Sequence, residues 1–261
     1  MHDMYLKVQS DLIICGIVLK PKPMIPKTVF QRLLFVFAIS ISASFYAQVD
    51  SGVYFAAEEK EGETIQHKLT VSEDYIIHIE YQSEPAKFIR TRGGFYTVDG
   101  DNLNVKLEFN SGYEADSVSQ AVVPYKQMGD KLVIGDSQRE YTKAKSMSQD
   151  LDGNWLFGTR GPDTGQERRG DSKPRKTLKM LIDGSFQWIA YNTETFKFFG
   201  SGGGSYTSTD GTYTESIEFF SRDNSRVGAD LEFKYEVKGN DWHHTGNNSK
   251  GEPMYEIWMK R

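Results

Sequence analysis

Residues 203–209 and 213–219 read Gly-Gly-Ser-Tyr-Thr-Ser-Thr and Tyr-Thr-Glu-Ser-Ile-Glu-Phe, with Asp210-Gly211 in the short connection between them. The second segment places Tyr, Ile and Phe on odd positions and polar residues on even ones, which is the period-two pattern of a β-strand with one buried face. Asp-Gly is a preferred tight turn because glycine tolerates a positive φ. The stretch therefore predicts an antiparallel β-hairpin.

The same pattern occurs 110 positions earlier in the chain. The register holds without a gap over about fifty residues, which shared composition alone does not produce. We therefore interpret the chain as a tandem duplication. The matched pairs include Gly93-Gly94 with Gly203-Gly204, Tyr96-Thr97 with Tyr206-Thr207, and Glu108-Phe109 with Glu218-Phe219.

Turn residues and alternating segments divide the second copy into short strands, with no long helical pattern. Eight or nine strands per copy are enough to close a small barrel that has no exposed sheet edge. The predicted fold class is all-β, with two tandem up-and-down antiparallel β-barrels at residues 49–146 and 150–261. One larger barrel shared by both copies is the alternative. The strands of the second copy are expected near residues 153–160, 175–182, 185–191, 195–200, 204–209, 212–221, 229–238, 241–246 and 254–261.

The N-terminal 47 residues have the order of a secretory signal. A basic segment at 26–32 leads into the apolar run 33–39, and small residues follow up to Ala47. The apolar run is short for a permanent membrane span, so we predict cleavage near Ala47 and no transmembrane anchor in the mature chain. Met24 is the expected true start. The predicted location is exported, either periplasmic or extracellular.

Composition limits the partners of the mature chain. The net charge is −5 over all 261 residues, and loss of residues 1–47 removes more basic than acidic groups. Nucleic acids and anionic membrane surfaces need a concentrated positive field, so neither is expected as a partner. The single cysteine, Cys15, lies in the predicted leader, which leaves no disulfide to stabilise the barrels. No protein partner can be named from these features.

The two copies differ in the residues predicted to face inward. In the first copy Leu103, Val105, Leu107 and Phe109 alternate with polar residues, and the offset of 110 places Tyr213, Glu215, Ile217 and Phe219 on the same face of the second. We therefore expect a nearly all-apolar interior in the first barrel and a more polar one in the second. A buried ionisable group is costly unless it is paired or hydrated, so Glu215 and His244 should pair with each other or meet water or a ligand.

This divergence predicts a ligand site in the second barrel, because the first copy shows that the fold itself does not need the polar groups. The ligand would be a small apolar or amphipathic molecule. The predicted binding residues are Trp188, Tyr213, Glu215, Phe233, Trp242 and His244.

Other motifs do not carry a chemical function. The glycines of Ser201–Ser205 are not followed by the Lys-Ser/Thr and helix that hold phosphate. His243 and His244 are adjacent strand residues, which point to opposite faces and cannot easily share a metal. No nucleophile or carboxylate pair has a catalytic spacing. We predict no enzyme activity, no metal and no cofactor.

The second copy begins with Gly153-Asn154-Trp155 and ends with residues 256–261, Glu-Ile-Trp-Met-Lys-Arg. This pattern resembles the lipocalin and wider calycin barrels, and the runs 186–188, 203–207 and 213–221 are more specifically similar to lipocalin-like domains of unknown function in secreted bacterial proteins. The resemblance implies that Trp155 packs against Arg261 at the closed end. The first copy departs from this pattern, with Tyr54 in place of the Trp and Lys143 or Lys145 in place of the Arg. It also implies a binding protein, and the alternative is a structural or protein-interaction module of the cell envelope.

Overall fold

A computed structural model describes residues 49–248 and 251–261 of the chain. It contains two closed eight-stranded antiparallel β-barrels, so the predicted fold class is confirmed. The predicted signal segment and the Met24 start lie outside the described residues. No helix in the described part of the chain is long and apolar enough to cross a membrane.

The strands of each barrel follow one another around the wall, as in an up-and-down meander. The first barrel consists of β1 (Gly52–Lys60), β2 (Glu63–Val71), β3 (Tyr75–Gln82), β4 (Lys87–Asp99), β5 (Asn102–Asn110), β6 (Gln120–Met128), β7 (Lys131–Ile134) and β8 (Arg139–Lys143), with the short helix α1 (Tyr113–Asp116) between β5 and β6. The second consists of β9 (Gly153–Arg160), β10 (Arg175–Ile182), β11 (Ser185–Asn192), β12 (Phe198–Thr209), β13 (Thr212–Phe220), β14 (Asp230–Lys238), β15 (Asp241–Asn247) and β16 (Pro253–Lys260), with a 3-10 turn at Asn224–Arg226.

The second barrel has eight strands because the segments predicted at 195–200 and 204–209 form one strand, β12. Its register shifts between Gly203 and Gly204, and β4 has the same irregularity between Gly93 and Gly94. A Cβ on Gly204 would overlap the carbonyl oxygen of Ser216, so the close strand approach at this bulge requires glycine. The glycine pair that marked the repeat is therefore a structural feature of both barrels.

The bulge also changes which side chains of β5 face the barrel interior. Gly94 pairs with Leu107 and Gly93 with Phe109, so Glu108 is an extra residue on β5. An extra residue shifts the alternation of side chains by one. Leu103, Val105 and Leu107 face the barrel interior as predicted, whereas Phe109 packs outside it with residues of the second barrel. The prediction that Phe109 and Phe219 face inward is therefore wrong.

The outer faces of the two barrels pack against each other, and both barrels belong to one compact unit. The contacts are reciprocal between matched positions of the repeat. Tyr81 donates a hydrogen bond to Glu218 (3.1 Å), and Tyr191 donates one to Glu108 (2.8 Å). Reciprocity of this kind is the signature of a two-fold interface. The duplicated domains are thus arranged like the two subunits of a symmetric dimer.

Lys68 interrupts this symmetry. Its side chain is fully buried on the face between the barrels, where its ammonium donates a hydrogen bond to Ser185 Oγ at 2.9 Å. Burial lowers the pKa of Lys68 to about 8, and the charge of Glu218 opposes that effect. The charged form of Lys68 is therefore held at a cost in free energy.

Candidate functional site

The residues predicted to bind a ligand lie together in the core of the second barrel. The ring of Tyr213 is 6.1 Å from Phe233, 5.2 Å from Trp242 and 5.7 Å from His244. Trp188 lies at the edge of this core, 5.5 Å from the ring of Phe220. The structure therefore brings the predicted residues together as mutually packed aromatic groups. That they bind a ligand stays a prediction.

Glu215 pairs with Lys179, not with His244. Lys179 Nζ lies 2.7 Å from Glu215 Oε1, and both side chains are buried. The hydroxyl of Tyr213 donates to the same carboxylate oxygen at 2.8 Å. Lys179 was not predicted because it lies on β10, away from the strands that carry Glu215 and His244. The offset of 110 places Leu69 of the first barrel at the position of Lys179, and this difference was the available signal.

His244 packs against aromatic rings in the same core, 4.4 Å from Phe233 and 5.0 Å from Trp242. Its Nδ1 lies 3.7 Å from Glu256 Oε2, and neither ring nitrogen makes a hydrogen bond to a described residue. Burial lowers the pKa of His244, so the ring is neutral near pH 7. The indole nitrogen of Trp242 is also buried without a partner among the described residues. A water molecule or a small ligand group could form the hydrogen bonds that these buried nitrogens lack.

The first barrel contains a cavity of about 180 Å³. Its walls are apolar along most of their length and polar at one end, which we call the polar end. The interior of the first barrel is therefore not nearly all apolar, and that prediction is wrong. The apolar lining comprises Leu69, Ile76, Leu103, Val105, Leu107, Val123 and Ile134. The polar end comprises His78, Glu80, Arg92, Ser137, Arg139 and Tyr141.

Strand alternation explains how these polar groups reach the interior. His78 and Glu80 lie two residues apart on β3, and Arg92 of β4 pairs with His78, so all three share one face. These polar groups were not predicted because they lie mostly on β3 and β4, whereas the inward face was derived from β5 and β7. The signal was available, because Ile76 begins the same inward row.

A hydrogen-bonded network occupies the polar end. Nδ1 of His67 lies 3.3 Å from Nε2 of His78 and 3.0 Å from Nη1 of Arg139. The hydroxyl of Tyr141 is 3.3 Å from Nε2 of His78. The guanidinium of Arg139 also pairs with Glu58. Since arginine only donates, Nδ1 of His67 is the acceptor and its proton resides on Nε2, which faces Glu58 Oε2 at 3.3 Å.

Both imidazoles at the polar end are neutral near pH 7. Burial lowers the pKa of His67, and the charge of Arg139 adds to that effect. Burial lowers the pKa of His78 well below its usual range, with further contributions from Arg92 and His67. Neutral rings in this position accept and donate hydrogen bonds without adding positive charge.

His67, His78 and Glu80 offer three potential metal-ligand atoms within 4.8 Å of one another. The geometry of the two rings is that of a hydrogen bond, since their planes differ by 11° and the facing nitrogens are 3.3 Å apart. The guanidinium of Arg139 lies beside the nitrogen of His67 that would face a metal. A cation at this point would meet a positive charge at short range, which disfavours a metal site.

The first barrel is more open than the second at this end because its closing seam is shorter. β1 and β8 pair only at Tyr54–Lys143 and Phe55–Thr142, whereas β9 and β16 remain paired from Trp155 to Arg160. The Glu58–Arg139 ion pair joins β1 and β8 beyond the end of the ladder. At this end, the seam between the first and last strands is therefore closed by side chains in the first barrel and by backbone pairing in the second.

At the opposite end each barrel holds a lysine over an aromatic ring. Lys260 Nζ lies 4.6 Å from the ring centre of Trp155, and Lys143 Nζ lies 5.7 Å from that of Tyr54. Of the two lysines considered for the first copy, it is therefore Lys143 that contacts Tyr54. Arg261 does not pack against Trp155 as expected, because it forms a bidentate ion pair with Glu108 of the first barrel (2.7 and 2.8 Å).

The fold is a pair of closed barrels of antiparallel strands, consistent with a lipocalin-like fold. The second interior holds a cluster of buried aromatic rings, and the first contains a cavity. Residues 150–261 match the model of a family described as a domain of unknown function, DUF4488. No curated protein matches the chain.

Proposed function

We propose that the protein binds a small molecule in the first barrel, without catalysis, as a carrier or sensor. The observation that supports this proposal is the cavity of about 180 Å³, with apolar walls and convergent polar groups at one end. Apolar surface with a few placed polar groups is the usual composition of a small-molecule site. An engineered cavity of roughly 150 Å³ holds one benzene molecule, so a ligand body of single-ring size fits.

The second barrel would then serve mainly as a scaffold. Its core is filled by the Lys179–Glu215 pair and the aromatic rings around it, and its outer face covers one side of the first barrel. A structural role was the alternative function for the whole protein. Under this proposal only the second barrel has that role. The buried nitrogens of His244 and Trp242 favour a second candidate, a small polar occupant in this barrel.

The experiment is native mass spectrometry of protein purified without denaturation, to detect a molecule that co-purifies. Val105→Trp fills the cavity of the first barrel, and Lys106→Trp places the same ring on the outer side of the same strand as a control. The proposal requires that Val105→Trp loses the bound molecule and Lys106→Trp keeps it. Retention in the Val105→Trp variant would move the site to the second barrel.

We propose in addition that the protein is exported. The order of basic, apolar and small residues before Ala47 supports it. Intact-mass measurement of the protein from fractionated cells is expected to give a chain that begins near Gln48. A mature chain that keeps residues 24–40 would contradict export by cleavage.

A further inference from the structure

Arg92 is the group that the polar end leaves without a partner. Its side chain lines the cavity from β4, and its guanidinium makes no hydrogen bond or ion pair with any residue in 49–248 or 251–261. Nearby arginines are engaged: Arg139 pairs with Glu58, and Arg90 pairs with Asp116. Arginine offers five donors in a planar fork that matches a carboxylate, so an unengaged guanidinium in a cavity is a site for an anion.

The electrostatic environment of Arg92 points the same way. Burial lowers the pKa of Arg92, and the charge of Arg90 adds to that effect, whereas Glu80 partly opposes it. The charged guanidinium is thus held in the cavity wall at a cost in free energy. A bound anion would offset that cost where water and Glu80 do so incompletely.

The second barrel shows that the fold does not need this arginine. The position 110 residues after Arg92 is Gly202, and the position after His78 is Trp188. The indole nitrogen of Trp188 lies 2.8 Å from where a Cβ on Gly202 would be, so the ring occupies the space of an arginine stem. One barrel therefore has a cationic cavity where its duplicate has a packed tryptophan.

We propose that the ligand of the first barrel is a monocarboxylate with a compact apolar body, and this inference rests on the proposed function. Its carboxylate is bound by Arg92 next to the hydroxyl of Tyr141, and its body lies against Leu103, Val105 and Leu107. Glu80 lines the same polar end and repels a second negative charge, which selects a monoanion over phosphate or a dicarboxylate.

The test compares acids with neutral molecules of the same shape by isothermal titration calorimetry at pH 7. The probes are benzoate against benzyl alcohol and hexanoate against 1-hexanol. We expect each acid to bind the unaltered protein at least tenfold more tightly than its alcohol. Arg92→Gln is expected to weaken the binding of each acid at least tenfold relative to its alcohol and so remove this preference. Lys106→Gln removes one positive charge from the outer side of the wall and should keep the preference.

Arg92→Lys keeps the charge without the fork and should retain part of the preference, which covers the case in which Arg92→Gln does not fold. Equal binding of acids and alcohols by the unaltered protein would overturn the inference and leave the proposed function standing. If the unaltered protein binds neither acids nor alcohols, and Val105→Trp keeps its co-purifying molecule, both the inference and the proposed function are overturned. A preference for acids that persists in folded Arg92→Gln would assign the anion to another group.

Discussion

Phe88 stacks on Phe198, with ring centroids 5.9 Å apart and ring planes 10° apart. The two residues occupy the same position in the two copies of the repeat. A residue that contacts its own counterpart lies on the axis of a two-fold interface. The flanking contacts agree, because Tyr81 lies 5.1 Å from Phe219 and Tyr191 lies 5.1 Å from Phe109. The duplicated barrels have thus kept the contacts of a symmetric pair while their interiors have diverged.

The stacked pair predicts an energetic coupling between the barrels. In a double-mutant cycle of Phe88→Ala and Phe198→Ala, we expect the two losses of stability to be non-additive by about 0.5–1.5 kcal/mol, the usual contribution of an aromatic pair. Urea unfolding followed by fluorescence measures the cycle. Phe88→Ala combined with Phe55→Ala, a half-exposed residue of β1, is the control and should be additive. Additivity of the stacked pair would mean that the interface does not couple the barrels.

The repeat and the closure of each barrel could be predicted from the sequence because both depend on period-two alternation and turn residues. The reciprocal interface could not, although its residues were visible as identities at Glu108-Phe109 and Glu218-Phe219. The extra residue at the bulge sends Phe109 outward, and alternation alone does not reveal a bulge. The cavity was missed for a related reason, because it depends on which wall residues fail to fill the interior.

Lys68 predicts a pH dependence of stability. Its pKa is about 8 in the folded protein and near 10.5 in the unfolded chain, so the unfolded state binds more protons between these values. The contribution of Lys68 to the free energy of unfolding therefore rises with pH across this window. Below pH 8 the whole penalty applies, up to about 3 kcal/mol for a shift of this size.

Lys68→Met removes that penalty. We expect the variant to be more stable than the unaltered protein at pH 7 and to lose this advantage as the pH rises towards 10.5. Urea unfolding of both proteins at several pH values measures the difference and cancels the titration of other groups. A pH-independent gain in Lys68→Met would show that packing and not charge is responsible.

Gly153 predicts a specific requirement at the closed end of the second barrel. Its φ is +132°, and a Cβ there would overlap the side chain of Lys260, which crosses it to reach Trp155. Gly153→Ala is expected to destabilise the protein by roughly 1–3 kcal/mol through backbone strain and displacement of the lysine. Thermal unfolding measures it. Gly112→Ala, at ordinary φ and with no atom closer than 3.4 Å, is the control and should change stability little.

The Lys179–Glu215 pair carries the clearest contrast between the two interiors, because Leu69 and Val105 occupy the same positions in the first barrel. Removing one partner leaves a buried charge unpaired, so Lys179→Leu or Glu215→Val alone is expected to cost about 3–5 kcal/mol. The double variant reproduces the residues of the first barrel and removes both desolvation penalties, so it should return to within about 1 kcal/mol of the unaltered protein or exceed it. Urea unfolding of the four proteins measures the cycle, and a pairing energy follows from the difference.

The hydroxyl of Tyr213 loses its acceptor in either Glu215 variant, and Tyr213→Phe in the double background separates that contribution. If the double variant is as unstable as the single ones, the pair is required for packing, and the polar core of the second barrel is a structural element. If the double variant is stable and a co-purifying molecule is lost, the pair belongs to a ligand site in the second barrel, where the comparison of the two copies predicted Glu215 but not Lys179.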